Sequence, residues 1–287
     1  MRDLSADHRF LSINTATVRQ QADLIGIVEA CARRNIRAVS PWRDQVSAIG
    51  LDRAVQAIRD AGLQLSGYCR GGMFTADDAH RAEMWDDNRR AIDEAAALGS
   101  PCLVLVVGGL PQFSRPGSAP SKDIRAAHAQ VHDALAGLLD HARAAKVPLA
   151  IEPLHPMYAA DRACVNTLRQ ALDLCDVIDP DRQGGIGVAI DTYHVWWDYE
   201  VFAQIARTGR DRLLAFHVCD WLVPTKDMLL DRGMMGDGVI DIPAYRRAVE
   251  EQGFDGFIEV ELLSTDWWSR PLDETLDTVI ARYRTAV

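Results

Sequence analysis

The sequence predicts a (β/α)8 barrel, a single domain over residues 1–287, and three observations carry that reading. Eight short apolar, β-rich runs alternate with eight longer amphipathic segments. The runs are mostly continuous rather than alternating in polarity, as expected for parallel strands covered on both faces. The hydrophobic share of 48% is enough for a large core. A doubly wound open sheet is the rival. It would carry a glycine-rich phosphate loop after its first strand, and the stretch "SINTATVRQ" there holds no glycine.

The strands follow in order: "FLSIN" from Phe10, "IRAVS" from Ile36, "LQLSGY" from Leu63, "CLVLVV" from Cys102, "VPLAIEP" from Val147, "GIGVAI" from Gly185, "RLLAFHV" from Arg212 and "GFIEVEL" from Gly256. Between and after them, residues 24–34, 51–61, 79–98, 123–145, 167–178, 201–208, 242–251 and 272–286 place apolar residues at helical spacing. Three of these segments run into a stop-signal glycine, in "RDAGL", "AALGS" and "EEQGF". Two long loops remain, "GGLPQFSRPGSAPSK" after the fourth strand and "DWLVPTKDMLLDRGMMGDGVID" after the seventh. Both fall on the side where barrels carry function.

The bulk numbers exclude some roles. A net charge of −10 argues against holding a polyanion, so no nucleic-acid partner is expected. The longest apolar run, "CLVLVV", is too short to span a bilayer, and "MRDLSADHRF" lacks a signal-peptide apolar core, so no membrane partner is expected. The six cysteines form no CxxC pair and sit mostly in apolar runs. They read as free buried thiols in a reducing, cytoplasmic setting.

Barrel chemistry sits at the C-terminal strand ends. Strand five ends in "AIEP" with Glu152, strand six in "AID" with Asp191, strand seven in "FHV" with His217, and strand eight in "EVEL" with Glu259 and Glu261 on one face. Three carboxylates buried together need a counter-charge, and a divalent cation supplies it. Carboxylate oxygens with one imidazole suit Mn2+ first, with Mg2+ or Co2+ as alternatives. Of the two glutamates, Glu261 lies nearer the mouth, and Glu259 is the alternative ligand. Each residue alone also has an ordinary reading, as a salt-bridged acid or a satisfied core histidine.

The stretches "IEPLHP", "IDTYHVWWD", "FHVCDW" and "GFDGFIEVELLS" resemble the metal-site strands of the xylose-isomerase-like barrels, and the likeness follows strand order through the whole chain. That family holds sugar isomerases, ketose 3-epimerases, hydroxypyruvate isomerases, inosose dehydratases and, more distantly, endonuclease IV. The resemblance implies that Glu152, Asp191, His217 and Glu261 bind one divalent metal. It implies that Glu152 and Glu261 exchange protons beside the substrate carbonyl, and that His194 contacts substrate oxygens. It also implies a homodimer or homotetramer. The epimerases carry an arginine just after the histidine's strand. Here that match is lost, and Arg232 or Lys226 would take its place.

The metal would polarise a carbonyl and stabilise the enediolate left when a neighbouring proton departs. Proton return then gives an epimer or an aldose–ketose isomer, so a metal-dependent isomerase or epimerase acting on a ketose or related keto-sugar is expected. Expulsion of a β-hydroxyl is the alternative, a lyase on an inosose-like or 3-keto-sugar substrate. Six tryptophans fall in mouth-side loops: Trp42, Trp196, Trp197, Trp221, Trp267 and Trp268. They suit packing against a sugar face, or else plugging of loops. Trp42, Trp197, Arg70, Asp220 and Arg232 are candidate substrate contacts. The mouth-side cations, Arg43, Arg162, Lys226 and Arg270 among them, either bind substrate or pair with adjacent acids. His155 either reaches the rim or caps its loop. An endonuclease would need many more strand-end histidines. A sugar-binding protein without catalysis would not need three carboxylates round a metal.

Overall fold

The structure is a computed structural model that describes residues 2–287. Its strands are β1 (Leu11–Asn14), β2 (Ala38–Ser40), β3 (Gln64–Leu65), β4 (Tyr68–Gly72), β5 (Leu103–Val106), β6 (Leu149–Ile151), β7 (Ile186–Asp191), β8 (Leu213–Val218), β9 (Asp220–Trp221), β10 (Arg232–Gly233) and β11 (Ile258–Val260). Nine of them form one sheet in the order β3-β2-β1-β11-β8-β7-β6-β5-β4. Strands alternate with helices along the chain, and this is the (β/α)8 barrel the sequence predicts. The strand number is nine because the run "LQLSGY" divides into β3 and β4. Ser66 makes a bend there and is followed by Gly67, a residue that weakens a strand interior.

The expected helices lie close to their expected bounds. Leu24–Arg33 and Leu51–Asp60 come first, then Arg81–Leu98, Ile124–Ala145 and Leu168–Ile178. Val201–Arg212, Ile242–Glu251 and Leu272–Ala286 follow. Their ends have local causes. Asp23 and Asp123 cap two helix starts by accepting from backbone N–H groups. Thr167 and Gln170 close a reciprocal capping box. Gly99 ends its helix in the left-handed conformation at φ 72°, which a side chain disfavours. Arg43–Ile49 is a helix that the periodicity did not announce, because only Val46 on it is buried.

The chain divides into two compact units. One holds the described residues up to Tyr68, then Asp191–Tyr193 and Ala215–Val287. Within it, parallel pairing sets Ser12 beside Glu259 and Glu259 beside His217. The other holds Cys69–Ile190 and His194–Leu214. Within it, Leu103 pairs with Leu149, and Leu149 with Ile186, again in parallel. This second unit buries an ion pair. Arg212, 1% exposed, donates to Asp179 Oδ2 at 2.8 Å and to the carbonyls of Ile186 and Asp179. Arg143 reaches the same carboxylate at 2.7 Å.

All six cysteines are free and buried. No helix among the described residues is long and apolar enough to cross a membrane.

Candidate metal centre

Strand geometry places the four expected ligands. Glu152 directly follows β6, and its N–H donates to the Leu105 carbonyl at 3.1 Å. Asp191 is the last residue of β7, His217 lies near the end of β8, and Glu261 directly follows β11. All four are buried. Each offers a ligand atom, and these atoms lie within 4.8 Å of one another. Glu259 is not in the group.

The electrostatics follow from burial. Loss of water pushes the Asp191 carboxyl up to about 6, with Glu261 adding to the rise while Arg232, His217 and the Tyr193 N–H oppose it. Burial also acts to raise Glu261, but the His217 contact and the charges of Arg232 and His217 outweigh it and hold that carboxyl below its usual range. Glu261 Oε2 lies 3.2 Å from His217 Nδ1 yet makes no hydrogen bond of proper geometry, although it is buried. A buried carboxylate oxygen left in this state suits coordination to a cation. The donor set of three carboxylates and one imidazole therefore fits a divalent ion.

Arg232 supplies an organic counter-charge to Asp191. Its Nη1 donates to Asp191 Oδ2 at 3.1 Å and to the Glu261 carbonyl at 3.4 Å. Its guanidinium stacks 4.5 Å from the Tyr193 ring centre. Burial pulls the Arg232 pKa down, but the facing Cys219, Asp191 and Glu261 more than reverse this. The arginine expected to meet substrate is thus engaged with Asp191. Lys226, its alternative, is exposed.

Asp220, an expected substrate contact, accepts hydrogen bonds from its own loop. Its carboxylate accepts from the N–H groups of Trp221, Gly236 and Ile240 at 2.9 to 3.0 Å and so ties down the loop after β10. His155 caps its turn, its Nδ1 accepting from the Met157 N–H at 3.3 Å. Its ring meets Trp197 edge-on at 5.9 Å. Burial lowers the His155 pKa. His194 is buried and its Nδ1 accepts from the His155 N–H at 3.3 Å. Trp197 donates to the His194 carbonyl at 2.9 Å and is 37% exposed. Arg70 sits partly buried in β4. Trp42 is partly buried and donates to Asn14 Oδ1 at 2.7 Å.

Other mouth-side groups have partners within the protein. Trp221 stacks on Tyr193 at 4.7 Å, and Trp268 donates to the Ala16 carbonyl. Arg270 pairs with Asp266 and Glu274.

Residue-type reasoning missed Asn14, Ser12 and Ser66. Asn14 Nδ2 donates to Glu259 Oε1 and Ser66 Oγ to Glu259 Oε2, both at 2.7 Å. The signal was present: Ser12 and Asn14 are polar residues two apart in an apolar strand, hence on one face.

Comparison with known proteins identifies the family. The profile of the xylose isomerase-like TIM barrel family matches residues 25–284. A solved protein of Sinorhizobium meliloti 1021 superposes with TM-score 0.91 at 57% identity, covering 96% of this chain and 98% of that one. The IolI protein, solved with a bound zinc atom, superposes with TM-score 0.77 at 19% identity over 95% of each chain, a likeness of fold. Inosose isomerase of Bacillus subtilis (strain 168) is 26% identical over 153 residues. That match spans about half the length of the curated relative, 51%, and 51% of this chain. The chain belongs to the xylose isomerase-like TIM barrel family.

Proposed function

We propose that the protein is a divalent-metal-dependent isomerase or epimerase acting on a keto-sugar or cyclic keto-polyol. The observation that carries this reading is the convergence of Glu152, Asp191, His217 and Glu261, buried and within 4.8 Å. The likeness to an inosose isomerase supports a cyclic polyol ketone as the substrate class. The ion, Mn2+ or Zn2+ in the first instance, would polarise the substrate carbonyl and lower the cost of charge on its oxygen. Glu152 and Glu261 serve as the proton-exchanging pair, one taking the proton from the carbon beside the carbonyl and the other returning one. Asp191 and His217 hold the site, and Arg232 keeps the Asp191 carboxylate oriented. His194 and Trp197 are the proposed substrate-facing groups, with Trp42 and Arg70 beside them.

Proton NMR in D2O tests this. Mn2+- or Zn2+-loaded protein is incubated with inososes, free ketoses and ketose phosphates, and the quenched, metal-stripped mixtures are read. Deuterium entering the carbon beside the carbonyl, with a new epimer or isomer, is expected for at least one compound. Glu152→Gln should slow that exchange at least 100-fold, the scale of a lost general base. Loss of a β-substituent with a new olefinic or dicarbonyl product would replace this reading with a lyase.

A further inference from the structure

We propose that Glu259 is a positioning residue that fixes the His217 imidazole with its Nε2–H toward Glu259, leaving Nδ1 as the ligand atom. The inference rests on the metal reading above and deepens it. Parallel pairing of β11 with β8 sets Glu259 directly beside His217, so the two side chains share a face. Glu259 Oε2 lies 3.6 Å from His217 Nε2, just beyond hydrogen-bond distance but on that nitrogen's side of the ring, whereas Glu261 Oε2 lies 3.2 Å from Nδ1. The imidazole is thus set between two carboxylates of different kind. Glu261 belongs to the converging ligand group and Glu259 does not. A ligating imidazole is neutral and carries one N–H, so the nitrogen that faces the ligand group must be bare and the other protonated.

Glu259 is held apart from the ligand group by partners on both of its oxygens. Asn14 Nδ2 donates to Oε1 and Ser66 Oγ to Oε2, and Ser66 Oγ lies 2.6 Å from Ser12 Oγ. The Asn14 amide is itself oriented. Trp42 Nε1–H is a donor only, and it meets Asn14 Oδ1 at 2.7 Å, as does the Ala16 N–H at 3.0 Å. The amide NH2 therefore has to face Glu259. An indole toward the mouth, an amide, a buried carboxylate and the ligand histidine form one connected line. A carboxylate behind a metal histidine fixes ring orientation and raises ligand basicity.

The first measurement is nitrogen-15 NMR of the His217 ring in Zn2+-loaded protein, with His217→Gln for assignment. Expected is a protonated Nε2 and a bare, metal-bound Nδ1; the reverse overturns the proposal. The second is divalent affinity by calorimetry. Glu259→Gln should weaken Zn2+ and Mn2+ binding about 10- to 100-fold, the usual cost of losing such a partner, at unchanged fold. Asn14→Ala should weaken it in the same direction and less. Unchanged affinity in a folded Glu259→Gln protein overturns the proposal. The third uses metal-free protein, where Glu259→Gln should move the Nε2 resonance and Glu261→Gln the Nδ1 resonance. Wild-type protein that takes up neither metal sinks the metal reading. The metal-free spectra then decide Glu259 alone, and an unmoved Nε2 resonance counts against it.

Discussion

At the scale of single residues, one site holds acids in opposed states. Burial drives Asp191 up to about 6, while Glu261, in contact with His217, is held low. The sign for Asp191 follows. Its folded pKa lies above its ordinary value of 3.8, so its contribution to metal-free stability is fully present below that value and is lost as pH rises through about 6. Metal needs the deprotonated carboxylate, so cation affinity should do the opposite and fall as pH drops through about 6. Melting curves at pH 5 and 7, with chelator and with Mn2+, check both directions. A stabilisation by Mn2+ that is equal at the two pH values would refute the linkage. That Glu152, Asp191, His217 and Glu261 converge was legible in the sequence, because a strand end in a barrel is a known place. The occupation of Arg232 and Asp220 was not. Each is held by a group distant in sequence, Asp191 for the arginine and the Gly236 and Ile240 N–H groups for the aspartate.

At the scale of elements, the loop after the seventh expected strand shows what periodicity cannot reach. It contains a short antiparallel ribbon, β9 with β10, pairing Arg232 with Trp221 and Gly233 with Asp220. Two-residue strands leave no period to read. The ribbon is what brings Arg232 to Asp191. The loop's return passes so close to β9 that a Cβ on Gly238 would lie 2.5 Å from Asp220 Oδ1 and 2.2 Å from the Trp221 carbonyl oxygen. Gly238→Ala should therefore cost about 1–3 kcal/mol, the range for forced overpacking. It should also loosen Arg232 from Asp191. Urea unfolding and Mn2+ titration of the variant check the two effects, and wild-type stability would mean that the loop yields freely. The helices behave differently. Their bounds follow from local caps, such as Thr167 with Gln170, and so were readable directly.

At the scale of the whole molecule, stability and site draw on separate charges. Asp179 is held below its ordinary 3.8: burial acts to raise it, and the Gln183 and Gly184 N–H groups with Arg212 outweigh that. A depressed carboxylate stabilises above its unfolded pKa, and that contribution is lost as pH falls below about 4 toward the folded value. Asp179→Asn leaves Arg212 buried without its carboxylate and should cost about 3–5 kcal/mol. The loss should be full at pH 7 and shrink at pH 3, with cation affinity per folded molecule unchanged. Denaturant titrations at the two pH values check it. The alternation of strand and helix, the strand ends and the acids and histidine placed on them were determined by sequence alone, because period, caps and apolar runs are local properties. The tertiary structure alone decided that Arg232 pairs with Asp191 and that Asn14 and Ser66 brace Glu259. Those are contacts between strands far apart in the chain, and parallel register, not sequence neighbourhood, sets them.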